Sequence, residues 1–194
     1  EIFVIDHSTT TEEAASHMGG NSGKGGDILY RWGNPQNYNR GDSSDKILAS
    51  QHSVNWISND YPGSGNLILF NNFHGPGHSA VIELTTPIDD SGNYIISDNN
   101  PFGPTAFEWE FLCDIIVPMQ GGSFRLPNGN TIITLTHIGK IFEINESGDN
   151  LWEYTHTSNE VDSYWIARAD KYSLDYLQSI ILGDINSDGT LDIL

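Results

Sequence analysis

The chain has 194 residues, 37% of them hydrophobic, which is enough for a soluble domain with a sizeable core. Asp and Glu number 26 against 8 Lys and Arg, a formal charge of −18, so nucleic acid is excluded as a partner for want of a basic footprint. No run of about 18 apolar residues occurs, so no membrane span is expected; so acidic a surface suits calcium-rich or saline surroundings outside the cytoplasm.

The chain opens at Glu1 with no signal-peptide pattern before the first strand, so an excised or truncated start is expected. Ile2 to Ile5 and Ile28 to Trp32 read as strands. Between them, Thr9 to Ala15 has a hydroxyl N-cap and acidic residues in its first turn, which predicts a helix ended by Gly19-Gly20. Gly23-Lys24-Gly25-Gly26 lacks the GxxxxGK[ST] spacing and precedes a strand, so it is not read as a phosphate loop.

After a polar loop to Ser50, Gln51 to Ile57 alternates as a strand should, and Asn66 to Phe70 and Ala80 to Leu84 follow as apolar strands. Phe107 to Phe111 completes this set. The clearest stretch is Leu126 to Tyr154, where Pro127-Asn128-Gly129-Asn130 forces a turn into the β-branched run Thr131 to Thr136. Lys140 to Ile144 and Leu151 to Tyr154 are the next two strands.

These segments repeat. Gly65-Asn66 before Leu67 matches Gly129-Asn130 before Thr131, and Phe107 to Phe111 matches Leu151 to Tyr154. The period is the about 40–45 residues of a propeller blade. The expected fold class is therefore all-β: a partial, truncated β-propeller of about three four-stranded antiparallel blades over residues 1–182. A plain β-sandwich is the competing reading.

Candidate chemistry is sparse. The first strand of a propeller blade lines the central channel, which puts His52 where it can face a substrate, or else bond within the channel wall. Arg125 and Arg168 can clasp a sulfate through guanidinium forks or pair with the many carboxylates. His74 and His78 are split by a Gly-Pro-Gly turn with no third ligand nearby, which argues against zinc. His17, His137 and His156 need no function, and Tyr94, Tyr154 and Tyr164 read as packing aromatics. Cys113, alone and in an apolar context, reads as a buried inert thiol.

The tail, residues 183–194, follows the calcium-loop pattern D-x-N-x-D-G. Asp184, Asn186 and Asp188 take positions 1, 3 and 5, Gly189 makes the turn, Thr190 offers its carbonyl, and Asp192 takes position 9. Position 12 falls past Leu194, so weak Ca2+ binding is expected; a polar turn without metal is the alternative. The loop also resembles the first calcium loop of a dockerin, which implies an extracellular protein partner.

Phe3 to Thr11, Gly25 to Gln36, Gln51 to Asn72 and Arg125 to Tyr154, with Trp165 to Tyr172 behind them, together resemble the aryl-sulfate sulfotransferase family. That resemblance implies an exported propeller, secreted or periplasmic. Its channel histidine takes the sulfuryl group from a small aryl sulfate and passes it to a phenol, with no nucleotide donor. Gln51-His52 matches the family's blade start, but Ser53 stands where an Asp commonly follows. His7 matches a further segment, and Gln120 to Arg125 opens the next blade without a histidine. The implied function is sulfuryl transfer through His52; the alternative is a non-catalytic extracellular propeller that binds a ligand or protein.

Overall fold

The computed structural model describes residues 1–157, 165–173 and 176. Among them lie ten strands in three antiparallel sheets, none closed on itself. β1 (Ile2–Ile5) and β2 (Ile28–Trp32) form the first sheet. β3 (Gln51–Trp56), β4 (Leu67–Gly75), β5 (His78–Leu84) and β6 (Trp109–Cys113) form the middle sheet, in that order. The last sheet repeats this order with β7 (Gly122–Arg125), β8 (Thr131–Leu135), β9 (Lys140–Ile144) and β10 (Asn150–Thr155).

The reason for the continuous apolar runs in β4 and β5 is burial on both faces. Ile68, Phe70 and Val81 point to one side and pack with Ile133, Phe142 and Ile144 of the last sheet. Leu67, Leu69, Ala80, Ile82 and Leu84 point to the other side and meet Ile2, Tyr30, Trp32 and Leu48. Alternation would have left one face wet, whereas this sheet is the filling of a stack. Each such side chain contributes roughly 1.5–3 kcal/mol by leaving water, so Ile133→Ala, by opening a cavity between two sheets, would cost about 2–5 kcal/mol.

The excursion between β5 and β6 is tied back to the first sheet: Tyr30 Oη donates to the Gly103 carbonyl at 2.7 Å and Trp32 Nε1 to that of Pro104 at 3.0 Å. This explains why the strand expected at 107–111 begins instead at Trp109. Phe107 is drawn out of line to pack edge-on to Trp32, with centroids 6.1 Å apart. The helix is also shorter than expected. α1 (Thr11–Ala14) is one turn, capped by Thr10 and Glu13 in a reciprocal box, and ends at Ala15 well before Gly19-Gly20. Cys113 is buried, and desolvation pushes its thiol up to about 12. Among the described residues no helix is long and apolar enough to cross a membrane.

Candidate functional site

One rim of the stack collects the end of β4 and the starts of β3 and β7. The imidazole of His52 is exposed there, with Nδ1 2.9 Å from the Ser50 carbonyl and 2.9 Å from Oδ1 of Asn72. Asn72 is wholly buried, and its Nδ2 donates to the carbonyls of Val117 at 2.7 Å and Gln120 at 2.8 Å. Its own carbonyl accepts from Ser79 Oγ at 2.6 Å, and that hydroxyl accepts from the Val117 N–H at 2.8 Å.

The backbone around this ring is unusual. Ser50 (φ 55), Ser53 (φ 56) and Gln120 (φ 54) all lie in the left-handed region; among the described residues Asn39 is the other non-glycine there. Such a conformation is costly for a residue with a Cβ, of order 1–3 kcal/mol, and collects where geometry serves function. The strand pairing slips between His52 and Asn55, a bulge that turns Ser53 inward. Ser53 Oγ is buried with no hydrogen-bond partner, so a hydroxyl donor is left uncommitted beside the imidazole. Asn55 Nδ2 donates to the Ser53 carbonyl at 2.8 Å and to that of Ser123 at 3.0 Å, pinning β3 to β7.

Arg168 reaches the same rim from the run 165–173, which lies along the last sheet. The Ile166 N–H donates to the Thr136 carbonyl at 3.3 Å, Thr136 Oγ1 to the Ala167 carbonyl at 3.2 Å, and the Ala169 N–H to Thr134 Oγ1 at 2.9 Å. Lys171 Nζ then pairs with Glu143, which Asn130 also holds at 2.6 Å. This repeats the middle sheet, where Asn66 donates to Glu83 at 2.7 Å and Glu83 pairs with Arg125. Three residues before Arg125 stands Gly122; three before Lys171 stands Arg168. The pairing registers His52↔Phe70 and Gly122↔Thr134 make His52 the counterpart of Gly122. The corresponding positions of three successive units thus carry His52, Gly122 and Arg168.

The glycine in the middle is required by space. A Cβ on Gly122 would stand 2.9 Å from Cβ of Arg168 and 3.4 Å from Oγ of Ser53. Its absence lets Arg168 close on Ser53, the neighbour of His52. Arg168 is exposed and has no partner among the described residues, in a chain where carboxylates far outnumber cations. Cβ of Arg168, the Ser53 hydroxyl and the His52 imidazole thus share one rim of the stack.

Arg125 does not join them. It is buried against Glu83, donates from Nη1 to the Gly129 carbonyl at 2.9 Å, and lies over the Trp109 ring at 5.0 Å, so the carboxylate-pairing alternative holds for it. His7 stands in the exposed turn after β1. His74 is spent on Glu110 at 2.8 Å, and His78 on the Cys113 carbonyl at 3.1 Å. Asp184, Asn186, Asp188, Thr190 and Asp192 lie outside the described residues. Asn72, Ser50 and Gln120 are the site residues that motif reading passes over. The available signal is the amide pair Asn71-Asn72 ending the apolar run Leu67 to Phe70 within β4.

Searches of family models, curated proteins and solved structures return no match to this chain.

Proposed function

We propose that the middle and last sheets are successive blades of a β-propeller and that its channel rim transfers sulfuryl groups from an aryl sulfate to a phenol, without a nucleotide. The like strand order of the two sheets and their shared core support the first part. The observation that carries the second is an exposed histidine anchored through Nδ1 on the buried Asn72 and followed by a left-handed Ser53. His52 attacks sulfur as the S–O(aryl) bond breaks, giving a sulfonated imidazole and a phenolate. The acceptor phenol then attacks the same sulfur and frees the imidazole, its proton passing to solvent. Arg168 binds the sulfuryl oxygens and holds sulfur before the ring, while the growing charge passes to the departing aryl oxygen as phenolate.

The same reading makes the protein an exported one, with Asp184, Asn186, Asp188, Thr190 and Asp192 forming a weak calcium loop that meets an extracellular partner. Its support is the charge of −18 and the loop pattern.

The test is release of nitrophenolate from nitrophenyl sulfate in the presence of a phenol. The unmutated protein is expected to turn over, His52→Ala to lose turnover, and Arg168→Ala to raise KM for the sulfate. Full turnover by His52→Ala rejects the mechanism. A second reading, a rim that binds an aryl sulfate and does not turn it over, is favoured by Ser53 standing where a carboxylate would orient the ring. Binding by the unmutated protein with no turnover establishes that reading instead.

A further inference from the structure

The hydrogen bonds behind His52 fix more than its position. The carbonyls of Val117 and Gln120 are acceptors only, and both stand within 2.8 Å of the Asn72 amide nitrogen. Turning that amide over would set its oxygen against two carbonyl oxygens, in a place fully shut off from water. The NH2 group must therefore face the two carbonyls, and Oδ1 must face the ring of His52. Nδ1 of the ring then meets two acceptors, Asn72 Oδ1 and the Ser50 carbonyl, each at 2.9 Å. A nitrogen held between two acceptors carries the hydrogen. In a neutral imidazole the other nitrogen is then the bare one.

We infer that Asn72 is a positioning residue that holds His52 as the Nδ1–H tautomer, so that the solvent-facing Nε2 presents the lone pair to sulfur. The inference rests on the proposed role of His52 and adds to it the reacting atom and the group that selects it. It also gives a use to the strained turn at Gln120. A chain bent there through the left-handed region supplies one of the two carbonyls that fix the amide. Asn72 does for this ring what a carboxylate does for the histidine of a hydrolase triad, with a neutral acceptor in place of a charged one. The following sheet has Thr136 at the position that corresponds to Asn72, and Gly122 where this one has His52. The amide is present where there is a ring to orient, and absent where there is none.

The experiment reads the tautomer directly, in the full protein with 15N-labelled histidine. The His52 signals are assigned by their loss in His52→Ala. The expected spectrum shows a protonated Nδ1 and an unprotonated Nε2 in the neutral ring. Asn72→Thr is the chosen variant because the next sheet carries Thr at this position in the same fold. It should raise the share of the Nε2–H form, and lower sulfuryl transfer about 10–100-fold, the usual cost of losing an orienting partner. A neutral His52 protonated on Nε2 in the unmutated protein overturns the assignment. An unchanged tautomer in Asn72→Thr overturns the part given to Asn72. If the spectra behave as expected while the unmutated protein transfers no sulfuryl group, the tautomer assignment holds and the sulfuryl-transfer reading fails.

Discussion

The middle and last sheets are two solutions to one problem, and comparing them separates what stacking needs from what a site needs. Both run four strands in the same order, and both clasp the unit that follows through an asparagine, a glutamate and a cation: Asn66, Glu83 and Arg125 in one, Asn130, Glu143 and Lys171 in the other. What they share is architecture. They differ at the rim, where the middle sheet has His52, Ser53 and Asn72 and the last has Gly122, Ser123 and Thr136. The left-handed turn two residues before this position is in both, at Ser50 and at Gln120; the left-handed Ser53 is in the first set alone. Features found once in a repeat are candidates for function; features found twice are candidates for stability.

The two clasps also differ in depth, and this gives the largest expected effect. The side chains of Glu83 and Arg125 are 5% and 6% exposed, whereas Lys171 is 53% exposed. Glu83→Gln leaves a guanidinium buried without its counter-charge and should cost about 3–5 kcal/mol in urea denaturation. Glu143→Gln should cost less, about 1–2 kcal/mol, because the freed ammonium of Lys171 returns to water. Equal losses would mean that the clasps are not graded by burial.

The Glu143 clasp has a pH signature as well. Burial works to raise its carboxyl, but bonds from Lys171 and Asn130 outweigh this and hold it below the usual range. Its stabilising contribution is therefore complete above the ordinary glutamate value, about 4.3, and fades as pH falls through the lowered one. Stability measured against pH should fall less steeply below about pH 4 in Glu143→Gln than in the unmutated protein. The smallest effect belongs to the rim. His52→Ala should cost about 1 kcal/mol, since the ring is exposed but its loss takes away the hydrogen-bond partner of the buried Asn72 Oδ1. A large loss would move His52 from the functional set to the architectural one.

The strands of the last sheet were legible because each apolar run is punctuated by Pro, Asn or Gly, and turn chemistry is local. The apolar run of β4 likewise read as a strand, but its cover on both faces is a product of the packing. Partner choice was not legible. Arg125 could have faced an anion or any of many carboxylates, and only the stacking of two sheets brings it to Glu83, distant in sequence. Asn72 was hidden for the same reason. Its amide has meaning only once the chain returns past it at Val117 and Gln120, and nothing local to Asn71-Asn72 foretells that return. The offset at Phe107 has a tertiary cause too: a strong strand former was taken by an aromatic contact with Trp32.

The burial of β4 and β5 on both faces imposes an order on how the molecule can open. Their amide hydrogens reach solvent only after a neighbouring layer has lifted away, while β1 and β10 each keep one edge unpaired among the described residues. Fluctuations therefore begin at the flanks and run inward. Asn72, within β4, is anchored in the layer that opens last, so the partner that orients the His52 ring outlasts the fraying of the strands around it.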